Sequence, residues 1–108
     1  MIRVTVLYPN DLGANKAAAT FDMAYYTAKH MPMVQRKCGP ACRSIGADLG
    51  VAGGAPGSRA PYIAIGYLTF DSVEAFQTAF GPQAGEILAD IPNYTNVQPV
   101  LQISEIRL

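Results

Sequence analysis

The chain carries little charge and no bias in its sign: eight basic and eight acidic residues among 108 leave a formal net charge of zero. That balance excludes the electrostatic footprint of a nucleic-acid binder or of a protein held on an anionic membrane. No apolar run approaches the ~20 residues that cross a bilayer. The start, Met1-Ile2-Arg3-Val4-Thr5-Val6-Leu7-Tyr8, reads as a strand too short for a signal peptide, so a soluble, cytoplasmic protein is expected. Cysteine is scarce, with two residues in Cys38-Gly39-Pro40-Ala41-Cys42. A reducing compartment argues against a structural disulfide, and the three-residue gap is not the spacing of a redox pair. The single histidine, His30, cannot complete a zinc set with them. Both cysteines read as small packing residues around a turn, and no metal site is expected. No GxGxxG, phosphate-binding glycine loop or flavin signature is present either, so no cofactor is expected.

What the chain does have is apolar surface. Half its residues are hydrophobic, a high share for one domain spanning residues 1–108. A second copy of the chain is expected to cover part of it. Strand patterns occur at Ile2–Tyr8, Arg43–Gly50, Tyr62–Phe70 and Val97–Ile106. Residues Asp11 to Ala19 read as a loop, with Thr20 as N-cap of a helix that runs to Arg36 or Lys37. Pro32 should kink that helix or end its regular part near Met31. The Gly- and Pro-rich stretch Ala52–Pro61 is a loop by every breaker rule. Asp71-Ser72-Val73-Glu74 opens a second helix as a capping box, interrupted at Gly81-Pro82 and ended by Pro92.

The resulting order, β-α-β-β-α-β, is the split arrangement of ferredoxin-like α+β folds. Right-handed crossovers place both helices on one face of a four-stranded antiparallel sheet. Tyr62–Phe70 is apolar on both faces, so the far face also needs cover. Two subunits stacked sheet on sheet would supply it, giving a homodimeric α+β barrel.

Chemistry-bearing residues concentrate in Phe21–Val34. At about 100° per residue, Asp22, Lys29 and Arg36 form a solvent pole. Met23, Ala24, Thr27, Met31 and Val34 form the stripe expected to lie on the sheet. Tyr26 and His30 fall on the shoulder between the two, where such a helix borders any cleft. His30 is the side chain whose ordinary pKa lies near neutrality, so it is the candidate acid/base. Tyr26, four residues earlier, is placed to hold the imidazole or a substrate oxygen, and Asp22 to orient Tyr26. Tyr67, Gln102 and Ser104 are further candidates for a polar wall around a small hydrophobic, oxygen-bearing ligand. The competing reading has His30 and Tyr26 packed on the shoulder and meeting water, with Gln102 and Ser104 satisfying each other. Tyr25, Tyr62 and Tyr94 are assigned to packing. The charges of Asp71, Glu74, Glu86 and Asp90 are read as a solvated face.

Several segments resemble a known family. Phe21-Asp22, Tyr25-Tyr26 and His30-Met31-Pro32 are similar to the signature of EthD-like members of the dimeric α+β barrel superfamily. Tyr67 to Phe80 resembles that family's third strand and second helix. Asp90-Ile91-Pro92-Asn93-Tyr94-Thr95 and Pro99 through Glu105 resemble its closing segment. The resemblance implies a homodimer and a place beside an oxygenase system in bacterial degradation of ethyl tert-butyl ether. Members of the family also carry an oxidoreductase label. Relatives sharing the barrel include cofactor-free monooxygenases, isomerases, dehydratases and decarboxylases, which have a helix–sheet cleft in common rather than a reaction. Three functions therefore stand: a cofactor-independent enzyme using His30, a non-catalytic carrier of a small molecule, and an accessory protein acting through its exterior.

Overall fold

The computed structural model describes residues 1–11 and 18–108; the middle of the Asp11–Ala19 loop lies outside the described residues. Strands β1 (Ile2–Pro9), β2 (Ser44–Leu49), β3 (Tyr62–Phe70) and β4 (Val100–Glu105) form one sheet in the order β2-β3-β1-β4. Every pairing in it is antiparallel. Helix α1 (residues 23–38) follows β1, while α2 (Val73–Phe80) and α3 (Ala84–Ala89) follow β3, separated by a 3-10 turn at Gly81–Gln83. All three helices pack on one face, as a ferredoxin-like α+β domain requires.

Period-two alternation decides which residues meet the helices. Ile2, Val4 and Tyr8 stand opposite Phe70, Leu68 and Ala64 across β1 and β3, and all six are buried in the core. Met31 and Val34 from α1, Phe76 from α2 and Ile87 from α3 close over them. Arg3, Thr5 and Leu7, paired with Thr69, Tyr67 and Ile65, point to the outer face. Strand β4 is shorter than its sequence pattern suggests because Pro99, lacking an N–H, sits just before its first residue.

Helix α1 departs from expectation in two ways. Its N-cap is Asp22 rather than Thr20: the Asp22 carboxylate accepts from the Tyr25 N–H at 3.0 Å. Its irregular part also comes before Pro32 rather than after it: the regular helix starts at Met31 and continues to Cys38, one residue past the expected end, stopping where Gly39 takes a positive φ of 67°. Pro32 is tolerated because Tyr26–His30 forms a π turn in which the Met31 N–H reaches back to the Tyr26 carbonyl. The widened turn gives room one turn ahead of the proline ring, where a regular helix would clash. It also rotates the first half of the helix. Tyr26 and His30 are wholly buried rather than on a shoulder, while Ala24 and Thr27 are exposed.

The second helix also starts differently: Ser72, not Asp71, is the cap, accepting from the Ala75 N–H at 3.0 Å. Asp71 instead receives Arg43 in a forked pair.

Candidate functional site

The site is assembled where the start of α1 meets residues 90–96. A set of hydrogen bonds straps these segments together. The Asp22 N–H donates to the Tyr94 carbonyl at 2.7 Å, and the Thr95 hydroxyl donates to the Thr20 carbonyl at 2.7 Å. Thr20 N–H and Asn96 Oδ1 add a third link at 2.8 Å. The strap holds the Tyr94 ring over His30, with ring centres 4.6 Å apart. Phe21, Tyr8 and Tyr26 complete an edge-to-face aromatic cluster around it.

Through this cluster runs a polar line. Asp90 Oδ2 lies 2.9 Å from His30 Nδ1, and Asp90 Oδ1 accepts from the Tyr25 hydroxyl at 2.7 Å and from Asn93 Nδ2 at 2.9 Å. His30 Nε2 faces the Tyr94 hydroxyl at 3.3 Å, which in turn meets the Tyr8 hydroxyl at 2.8 Å. Burial pushes the His30 pKa below its ordinary value, outweighing the opposing pull of Asp90. Burial also works against ionised Asp90, yet the hydrogen bonds from Asn93, His30 and Tyr25 prevail and hold its carboxyl below the usual range. The imidazole is therefore neutral at pH 7, with its proton on Nδ1 toward Asp90 and a bare Nε2 lone pair toward Tyr94. Burial raises Tyr8, Tyr26 and Tyr94 far above the ordinary phenol value, so all three keep their protons.

Tyr26 is placed beside His30 as the sequence suggests, but not as its hydrogen-bond partner. The two rings stack, with centres 5.3 Å apart and planes at 13°. The Tyr26 hydroxyl reaches the sheet at Gly66, where any Cβ would collide with it. It is the one wholly buried side-chain polar atom without a partner among the described residues. The other candidates lie elsewhere. Asp22 caps α1 through its carboxylate, and its bond to Tyr26 is a backbone one, from the Tyr26 N–H to the Asp22 carbonyl at 3.0 Å. Tyr67, Gln102 and Ser104 sit on the outer face of the sheet, where Gln102 donates to Ser104 at 3.0 Å. Asp90, Tyr94, Tyr8 and Tyr25 were not legible as site residues. The one available signal was Asp90 itself, a carboxylate at the C-terminal end of a helix, where the backbone dipole disfavours it.

The Tyr8–Tyr26–His30–Tyr94 cluster forms one wall of a cleft between helices and sheet, with a cavity of about 30 Å³. That is room for a water molecule or two, each needing on the order of 10–15 Å³. The remaining lining is aliphatic or aromatic, including Val6, Met31, Leu68, Phe80 and Ile91, together with the exposed Leu88 and Leu101. Among the described residues no group of three His, Cys, Asp or Glu side chains could hold a metal ion, and no helix is long and apolar enough to cross a membrane.

A split β-α-β-β-α-β sheet with a buried histidine in an apolar helix–sheet cleft defines a small ferredoxin-like α+β protein with a candidate acid–base centre. Residues 17–98 match the model of the EthD domain, and the chain belongs to the EthD family. It is 43% identical to an EthD-like protein of Ralstonia eutropha JMP134, covering 99% of this chain and 92% of that one, with a TM-score of 0.89. An ethyl tert-butyl ether degradation (EthD) family protein of Bacillus halodurans C-125 shares the fold at 19% identity, with 99% of each chain covered and a TM-score of 0.63. No curated protein matches the chain.

Proposed function

We propose that this EthD-family protein is an acid–base enzyme acting on a small, uncharged, oxygen-bearing hydrophobic molecule. The observation that supports it best is the Asp90–His30–Tyr94 line opening on an apolar cleft. Asp90 fixes the imidazole tautomer and stabilises the imidazolium that forms when Nε2 takes a proton. Tyr94, which lines the cleft and faces Nε2, passes the proton on, so that removal from the substrate and its return elsewhere use one path. Isomerisation, elimination and the deprotonation that precedes oxygenation all share this step. The chain's own residues suffice for it. Tyr67, Gln102 and Ser104 have no part in this reading, and Asp22 serves it by capping the helix that bears His30.

The working unit in this reading is a homodimer. Val100, Leu101 and Ile103 on β4 are 56%, 42% and 40% exposed, too much apolar surface for an edge strand left in water. Sedimentation that returns a folded monomer at micromolar protein would remove this part of the proposal.

His30→Ala is expected to lower turnover by ~10²–10⁴-fold while ligand binding persists. A carrier for an oxygenase, which the almost wholly apolar lining would equally suit, would change in affinity alone. Full turnover by the mutant on a verified substrate would exclude His30 as the base.

A further inference from the structure

Two groups flank the imidazole, Asp90 at Nδ1 and Tyr94 at Nε2, and Tyr25 touches both of them. Its hydroxyl donates to Asp90 Oδ1 at 2.7 Å, and its ring stacks on that of Tyr94, with centres 6.1 Å apart and planes at 21°. Tyr25 is itself held in place. Its N–H donates to the Asp22 carboxylate at 3.0 Å, and the Lys29 ammonium stands 5.6 Å from the centre of its ring.

The Asp90 carboxylate is in need of such a hold. It follows the last residue of α3, where the helix dipole works against it, and its side chain is 18% exposed, so water competes for both oxygens. Asn93 also donates to Oδ1, but it is exposed and three residues from Asp90, so it fixes the carboxylate within its own segment and not against α1. Tyr25 and His30 both come from α1. With Oδ1 on Tyr25 and Oδ2 on His30, the carboxylate bridges two side chains of one helix, and that helix sets its plane.

Those two side chains are five positions apart in the chain. In a regular helix, steps of about 100° would leave them about 140° apart, on largely different faces. The π turn Tyr26–His30 lies between them, and its wider winding brings both to the side where Asp90 arrives. The turn that accommodates Pro32 thus also builds a two-point seat for a carboxylate.

We infer that Tyr25 is a positioning residue for His30: by holding Oδ1 it keeps Oδ2 on Nδ1, and so keeps the imidazole in the tautomer whose Nε2 lone pair faces Tyr94. This rests on the acid–base reading above, which needs that bare Nε2. Without the Tyr25 hydroxyl the carboxylate turns toward water and the Nδ1 proton loses its committed acceptor. The Nε2–H form then becomes populated, with the Tyr94 oxygen free to accept from it.

The test is nitrogen NMR of the full chain carrying isotopically labelled histidine, at neutral pH. His30 is the single histidine, so its two ring nitrogens are read without ambiguity, and a protonated ring nitrogen resonates far from a bare one. The parent should show the Nδ1–H tautomer. Tyr25→Phe keeps the ring and should fold, as checked by thermal melting. In it the two nitrogen signals should move toward each other as the ratio of Nδ1–H to Nε2–H falls about five-fold or more, the worth of one net hydrogen bond. Asn93→Ala removes a donor from the same oxygen and should leave the signals in place. Unmoved signals in Tyr25→Phe, or an equal movement in Asn93→Ala, would overturn the inference and leave the acid–base reading standing. A parent already in the Nε2–H form would remove that reading, and the inference with it.

Discussion

The two faces of the sheet treat polar side chains in opposite ways. On the outer face Gln102 pairs with Ser104, Ser44 shares a hydrogen bond with Thr69, and the Arg3 guanidinium lies 6.0 Å from the centre of the Tyr67 ring. Most of these groups keep some contact with water, and their pairings are local, Tyr67 also meeting Asp48. Under the helices the hydrogen bonds instead run from residue to residue, Asp90 to His30 to Tyr94 to Tyr8, and stop beside an orphan hydroxyl. Solvent reaches the Asp90 end, but His30, Tyr94 and Tyr8 are buried, so each inner link depends on the next, and losing one member there leaves another unsatisfied. On the outer face, water replaces whatever is removed.

Substitutions that separate the faces test this contrast. The largest loss of stability is expected from Asp90→Ala, which strands the buried His30 Nδ1–H, while the more open Tyr25 hydroxyl and Asn93 amide turn to water. We expect ~2–4 kcal/mol from chemical denaturation. A loss under 0.5 kcal/mol would mean the line carries no structural weight. Gly66→Ala should come next, at ~1–3 kcal/mol, because the new methyl collides with the Tyr26 hydroxyl and pushes a packed ring aside.

Acid should act on one face alone. His30 is depressed below 6.5 in the folded state, so between that value and its folded pKa the unfolded chain binds the extra proton. Its contribution to stability is therefore fully present above pH 6.5 and is lost as pH falls through the folded pKa. His30→Gln should flatten the pH dependence of the melting temperature in that window. An unchanged slope would place the acid sensitivity elsewhere. The smallest effect is expected on the outer face, where Gln102→Ala should stay within ~0.5 kcal/mol of the parent. A large loss there would show that the two faces are not so different.

The sequence made one of these faces far more legible than the other. Alternation in Ile2–Tyr8 and Tyr62–Phe70 reports the sheet, and breakers at Gly39-Pro40, Gly81-Pro82 and Pro92 report the connections, so the fold could be read almost whole. His30 stood out by being single. Its partners did not, because Asp90 and Tyr94 lie 60 and 64 residues away along the chain and meet it only after the sheet has formed. Asp90 looked like one more surface charge, yet Lys37–Glu86 and Arg43–Asp71 use up the charges around it while Asp90 turns inward. Tyr67, Gln102 and Ser104 were read as a wall of the same pocket because alternation tells which residues share a face, not which face the helices cover. The wheel drawn at a constant 100° put Tyr26 and His30 on a shoulder, since no constant step represents a turn that takes in one additional residue.

That additional residue makes the centre a matter of phase as much as of composition. Deleting a single position between Phe21 and Pro32 would let the backbone wind as an ordinary spiral, keep every aromatic letter near its place, and point the imidazole away from Asp90. Insertions and deletions in this stretch should thus be more damaging than most exchanges of one side chain for another, and any chain of this length class that keeps the histidine but not the spacing has the ingredient without the alignment.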